Sequence, residues 1–367
     1  MLSRRTRRQR LILALLLLTG AALFTWARTF LGDAGETVMA YSPFANYGLP
    51  TQEPPPYYYF AQDSYQYEPK EPVAPFPLIG LGDIIFTPPL PPREPTTVNR
   101  ISLTEDYIQR LMSFDYLTHN IFLVDRYTAL FPSDIDVPAF LREDLRLNMD
   151  APGPHVLIFH THSLEMFVDS NPLDIMDGVV GVGRVLAEIL TNVYGIETMH
   201  YTGQFDVVNG VPQRRGSYER MEPVITQLLA DNPSIQMVID LHRDGVRQGA
   251  GPFVTYIDGQ RTARIMFFNG LSRQNRNGQI TNVPWLPNPF QRENLNLSFQ
   301  LQLAANELFP GLARRAYLRE FRYSLHMAPM SMFVEVGNQY NTLQDAKLAM
   351  GPLAEIIAAV KLGGPPA

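Results

Sequence analysis

The chain is 367 residues long, with a net charge of -6, a pI near 5.7 and no cysteine. That balance gives no reason to expect nucleic acid, since the basic stripe its phosphates require is absent outside the extreme N-terminus, and the missing cysteines exclude disulfides and leave His, Asp and Glu to hold any metal. The first hundred residues do not read as globular, so one domain of about 260 residues is expected to carry the core.

Met1–Arg10 holds five arginines, and Leu11–Ala27 follows with seventeen uncharged residues that end on Phe24, Thr25 and Trp26. A run of that length just spans a bilayer core, and aromatic residues suit its interface. Residues 1–27 are therefore expected to be an uncleaved membrane anchor, which by the positive-inside bias places the rest of the chain outside the cytoplasm. A cleaved signal peptide, with Gly20-Ala21-Ala22 as its small residues, is the rival reading and exports the chain equally. Residues 28–100 are dense in proline and tyrosine, with Pro54-Pro55-Pro56-Tyr57-Tyr58-Tyr59 and Pro88-Pro89-Leu90-Pro91-Pro92 as extremes. They read as an extended linker of polyproline character, within which Gly80–Phe86 is expected to pair as a short strand.

In the folded region, 101–362, the spacing of Tyr107, Leu111, Phe114 and Leu117 predicts one helix ahead of a less regular lead-in. A strand over His155–His160 gives way to a helix with Val182, Val185, Leu186, Ile189, Leu190 and Val193 on one face, closed by Gly195. The strand Ile196–Tyr201 follows, then a helix carrying Met221, Val224, Ile225, Leu228 and Leu229 that Asn232-Pro233 stops, then the strand Ile235–Leu241. Asp258-Gly259 between Phe253–Ile257 and Arg264–Phe268 predicts a hairpin that joins the sheet. A helix with Leu297, Leu301, Ala304 and Leu308 comes next, followed by the strand Ala316–Phe321 and a strand ending at Glu335. Thr342 and Asp345 form a capping box for a final helix bearing Leu343, Ala346, Met350, Leu353, Ile357 and Val360, and 363–367 is a tail. Strands alternating with helices predict an α/β fold: a twisted, mostly parallel sheet with helices on both faces.

The chemistry gathers at strand ends, where ligands bind in open α/β sheets. Val156-Leu157-Ile158-Phe159-His160-Thr161-His162 and Val238-Ile239-Asp240-Leu241-His242-Arg243-Asp244 run out into histidine, and Met332-Phe333-Val334-Glu335-Val336-Gly337 ends in a carboxylate. Zinc hydrolases use neutral imidazoles on rigid supports and a carboxylate, not itself a ligand, that moves a proton. Alternation along an extended chain sends His160 and His162 the same way, so both are candidate ligands beside His242, or one orients the other. Glu165 is the best-placed carboxylate ligand, with Asp169, Asp174 and Asp177 as alternatives, and Glu335 suits the general base. Asp244 is either support for the His242 imidazole or a cap. Arg214, Arg215, Tyr218 and Arg220 precede a helix and, with Arg243, are candidates for binding substrate, a solvated charged face being the bland alternative. His326 is a candidate oxyanion stabiliser; His119, His155 and His200 read as structural.

Together with Ala-Arg-Ile-Met-Phe at 263–267, Phe-Pro-Gly-Leu-Ala-Arg at 309–314 and Val-Glu-Val-Gly-Asn at 334–338, these segments resemble the stage II sporulation protein P family over roughly residues 100–362. The resemblance implies an amidase-like fold and a zinc-dependent N-acetylmuramoyl-L-alanine amidase acting on peptidoglycan, with stem-peptide endopeptidase activity also attributed to the family. It implies a membrane-anchored role in engulfment of the forespore beside a glycan-cleaving sporulation protein D-like partner. Carried over by motif, His162 and His242 would be the histidine ligands and Glu335 the catalytic glutamate, while the family's carboxylate ligand usually lies farther from the first histidine than Glu165 does. Members typically place Asn and Tyr before the helix start where this chain has Asp177-Gly178. Two further readings stand beside it: a peptidoglycan-binding or scaffold protein that cuts nothing, and a metallo-carboxypeptidase on stem peptides.

Overall fold

The computed structural model describes residues 84–86, 98 and 100–366. The expected anchor, 1–27, and nearly all of the linker lie outside the described residues, among which no helix is long and apolar enough to cross a membrane.

The strands, in chain order, are β1 Ile84–Phe86, β2 Phe122–Val124, β3 Val156–Phe159, β4 Thr198–Tyr201, β5 Val207–Val208, β6 Val211–Pro212, β7 Met237–Asp244, β8 Val254–Ile257, β9 Gln260–Ala263, β10 Ile265–Gly270, β11 Arg273–Arg276, β12 Gln279–Asn282, β13 Ala316–Arg319 and β14 Ser331–Asn338. The helices are α1 Glu105–Leu111, α2 Phe114–Tyr116, α3 Val137–Arg142, α4 Val179–Tyr194, α5 Ser217–Asp231, α6 Gln291–Leu308, α7 Leu343–Leu348 and α8 Met350–Lys361. Among the described residues, eight strands make one sheet in the order β1-β4-β3-β7-β14-β10-β13-β2. Five of its seven pairings are parallel; β1 lies antiparallel to β4, and β10 antiparallel to β14. The expected mostly parallel sheet is thus two parallel blocks, β4-β3-β7-β14 and β10-β13-β2, that point in opposite directions and meet at the β10/β14 seam.

That seam follows from the hairpin. Asp258 and Gly259 both take positive φ, 49° and 76°, the two-residue turn that Asp-Gly favours, and the turn sets the register Ile257↔Gln260. The hairpin is therefore β8 with β9, a sheet of its own, and not the expected pairing of Phe253–Ile257 with Arg264–Phe268 inside the main sheet. After Arg264 the chain enters the main sheet as β10, running against β14. A second departure lies in the last helix, which splits into α7 and α8 at Ala349. Pro352 explains the break: its ring would strike the carbonyl of Leu348 in a continuous helix, but it is tolerated in the first turn of a new one.

The alternation of each strand divides the core. Ile158, Ile239, Leu241, Val334 and Val336 face one side with the apolar stripe of α4 (Val179, Val182, Leu186, Leu190), α6, α7 and α8. Leu157, Phe159, Val238, Phe268 and Phe333 face the other with Tyr218, Met221 and Ile225 of α5. Gly195 ends α4 in the left-handed conformation at φ 69°, as expected. The connection from β3 through α4 leads to β4 on one side of β3, and the connection from β4 through α5 returns to β7 on the other. The carboxyl ends of β3 and β7 therefore flank a switch point, where such sheets form a crevice.

Candidate active site

β3 ends at Phe159, and residues 161–164 turn. His160 stays with the strand on the α4 face, where its Nδ1 donates to Leu241 O at 2.8 Å and its Nε2 stands 2.9 Å from His200 Nε2. Gly183 of α4 leaves room for that ring: a Cβ there would lie 2.6 Å from His160 Cε1. The expectation that alternation aims both histidines at one point fails because the backbone is no longer extended. His160 joins His200, which does have a partner, on the opposite face from His162.

His162 turns to the α5 face, its ring edge-on to His242 (centroids 5.3 Å apart) and to Tyr218 (5.5 Å). His242 lies flat on Phe333, 4.1 Å between centroids and 1° between planes. Its Nε2 donates to Asp240 Oδ1 at 2.7 Å, and its Nδ1 faces Glu165 Oε2 at 3.2 Å. Glu165 is further held by the Arg243 backbone N–H at 3.0 Å and by both terminal nitrogens of Arg214 at 3.0 Å. Glu335 stands on β14 in register with His242 of β7. All four of His162, Glu165, His242 and Glu335 are buried.

Burial and the neighbouring charges together set each titration. Burial would lower the His242 pKa, but the Asp240 and Glu165 carboxylates outweigh it and lift it to about 10. Burial would raise Glu165, yet the His242 and Arg214 charges hold it well below the usual carboxylate range. Glu335 goes well up through burial, with the neighbouring Asp244 and Glu165 charges adding to it. His162 goes down through burial and then the Arg214 charge, and His160 falls to about 4, chiefly by burial.

The remaining candidates are placed elsewhere or otherwise. Asp169 accepts from the Leu343 N–H, Asp174 from the Met176 N–H and Asp177 from the Asn171 N–H, so the alternative carboxylates are engaged in loop and helix-end bonds. Asp244 pairs with Arg314 at 2.6 Å, and it is Asp240 that supports the His242 ring. Arg243 and Arg220 turn their guanidinium groups onto the main-chain carbonyls of Met166 and Phe205, and Arg215 is exposed. Of that basic cluster it is Arg214 that reaches the site. His326 bonds the Tyr323 carbonyl, and its Nε2 stands 3.2 Å from Glu222 Oε1 on α5. Two residues were not foreseen: Asp240, which the period of two places on the same face as His242, and Asp206, whose carboxylate takes Ser163 Oγ and the Leu164 N–H.

Among the described residues, no three His, Asp or Glu side chains are already drawn round one point as a metal would draw them. The donor types nevertheless fit zinc: two imidazoles, His162 and His242, and the Glu165 carboxylate. With Nε2 donating to Asp240, loss of the proton on Nδ1 would leave that nitrogen and the Glu165 carboxylate oxygen 3.2 Å away as two donors for the ion. His162 Nδ1 and Glu335 Oε2 are buried in this cluster without a hydrogen-bond partner.

The fold and cluster define an α/β protein with a buried His, His, Glu set at a switch point and a carboxylate beside it. The model of the stage II sporulation protein P (SpoIIP) family matches residues 109–358, and the chain belongs to that family. The stage II sporulation protein P of Bacillus subtilis (strain 168) is 23% identical over 218 residues, 55% of this chain and 50% of that protein. The chain thus spans half the length of that curated relative. Among solved structures, the N-acetylmuramoyl-L-alanine amidase AmiC2 of Nostoc punctiforme is 13% identical, with 57% of this chain and 96% of that chain covered and a TM-score of 0.33. The CwlD amidase from Clostridioides difficile, solved in complex with the GerS lipoprotein, is likewise 13% identical, with 57% and 95% covered and a TM-score of 0.33. Likeness at that level transfers no chemistry.

Proposed function

We propose that the protein is a zinc-dependent peptidoglycan hydrolase that cleaves the amide between N-acetylmuramic acid and L-alanine during sporulation. The observation that carries this reading is the facing of His242 Nδ1 and Glu165 Oε2 beside His162, with Glu335 in register on the neighbouring strand. In it, His162, Glu165 and His242 hold zinc, which when bound supplies Lewis acidity at the scissile amide. Phe333 beneath the His242 ring and Asp240 at its Nε2 fix that ring, and Arg214 neutralises Glu165. Glu335 takes a proton from the attacking water at Oε2 and delivers it to the leaving nitrogen, so that the amide breaks into a free amine and a carboxylic acid. His160, on the far face, stays outside the ligand set, and His326 is left with Glu222.

Family membership supports the sporulation setting and the cell-wall substrate. Cleavage of stem-peptide cross-links, the anchor at 1–27 with the domain outside the cytoplasm, and a glycan-cleaving sporulation protein D-like partner belong to the same proposal. The test is Glu335→Gln in the full chain. Zinc content should stay at the wild-type level while release of stem peptides from peptidoglycan falls by at least about 100-fold, the usual share of a general base. A variant that still cleaves at a comparable rate would show Glu335 is not the base.

A further inference from the structure

We propose that Asp240 is the positioning residue of the site, one carboxylate that ties the two histidine-bearing segments to each other. This deepens the zinc reading above and rests on it. Asp240 is 1% exposed and lies two positions before His242 on β7, across from Phe159 at the end of β3. Its Oδ1 accepts from His242 Nε2 at 2.7 Å and from the Thr161 N–H at 2.9 Å, and its Oδ2 accepts from Thr161 Oγ1 at 2.6 Å. Every bond of this carboxylate therefore goes to His242 or to the residue next to His162.

The consequences differ for the two histidines. At His242, an acceptor fixed at Nε2 keeps the proton there and leaves Nδ1 as the donor atom, with ring rotation blocked by the flat stack on Phe333. At His162, the turn has no strand to define it, because β3 has ended. Asp240 pins its first residue, and Asp206 pins its third and fourth through Ser163 Oγ at 2.6 Å and the Leu164 N–H at 3.0 Å. His162 is thus held between two buried carboxylates that touch its neighbours on either side. Of these only Asp240 also reaches His242, so the distance between the rings depends on it.

Asp240→Asn tests this with zinc affinity, measured on the full chain by competition with a chromophoric chelator. The amide can keep all three bonds, so the fold should survive, but its uncharged oxygen holds Nε2–H less firmly. Zinc should bind 10- to 100-fold more weakly, in the range found for groups that orient histidine ligands. Thr161→Val, which removes one bond and leaves His242 and the Asp240 charge untouched, should weaken zinc several-fold, and Thr161→Ser should restore it. A purely structural aspartate would lower the melting temperature of the metal-free chain without moving zinc affinity in either variant, and that result overturns the proposal. If Asp240→Asn does not fold, an unchanged affinity in Thr161→Val overturns it alone. A wild-type chain that binds no zinc would instead sink the metal reading and the inference with it.

Discussion

Glu165 and its rivals show what burial decides at the scale of single residues. Four acids follow His162 within fifteen positions, and spacing alone leaves all of them open. Glu165 is 3% exposed and faces His242, whereas Asp169, Asp174 and Asp177 are spent on backbone N–H groups. Glu165→Ala should therefore weaken zinc binding by at least about 100-fold, while alanine at any of the other three leaves it within about twofold. Zinc titration of the four variants checks this, and loss of binding in Asp174→Ala rather than Glu165→Ala would reassign the ligand. That His162, His242 and Glu335 gather at one end of the sheet was legible because each follows an apolar run of the sequence. The place of His160 was not, since period-two reasoning holds only while the chain stays extended. Asp240 could have been found by the same period, because an acid at i−2 from a candidate ligand shares its face.

At the scale of elements, α4 carries a constraint that hydrophobic spacing does not express. Gly183 sits where the helix crosses the His160–His200 pair, and a methyl there would lie 2.6–2.7 Å from ring atoms that Leu241 O and His200 hold in place. Gly183→Ala should cost roughly 1–3 kcal/mol through overpacking despite alanine's better helix propensity, read as a lower midpoint in chemical denaturation. A neutral or stabilising result would mean that the ring can give way. The last turn of α8 makes a pH prediction. Lys361 is fully buried with Nζ 2.8 Å from Met330 Sδ, and desolvation lowers its pKa from 10.5 to about 7. Between those two values the unfolded chain holds a proton that the folded chain does not, so stability rises with pH across this window and the full penalty is present below pH 7. The slope should approach about 1.4 kcal/mol per pH unit, and Lys361→Met should flatten it when unfolding free energies are compared from pH 7 to 9. An equal slope in both proteins would place the cause elsewhere. The helix starts and stops were mostly readable, through the Gly195 end and the Thr342/Asp345 capping box. The hairpins β5-β6 and β11-β12 turn at Asn209-Gly210 and Asn277-Gly278, with positive φ at all four residues, yet their flanks are short or polar and show no alternation.

For the whole molecule, the arrangement of the sheet is what makes a site from segments eighty and more positions apart. β3 and β7 lie side by side at the switch point, β14 lies beside β7, and so His162, His242 and Glu335 arrive at one end of the sheet from three separate runs of chain. The parallel block was legible from alternating strands and helices. The antiparallel seam was not, because it depends on the β8-β9 hairpin taking the place of a helical crossover between β7 and β10, and direction is set by that connection rather than by the strands' composition.

A zinc-dependent cut at the muramic acid amide is read from the mass of the fragments that the full chain releases from purified peptidoglycan, with and without a chelator. Intact stem peptides with a free L-alanine amino terminus should appear, vanish on chelation and return with added zinc. Release that persists through chelation, or fragments cut only within the stem, would contradict such a cut.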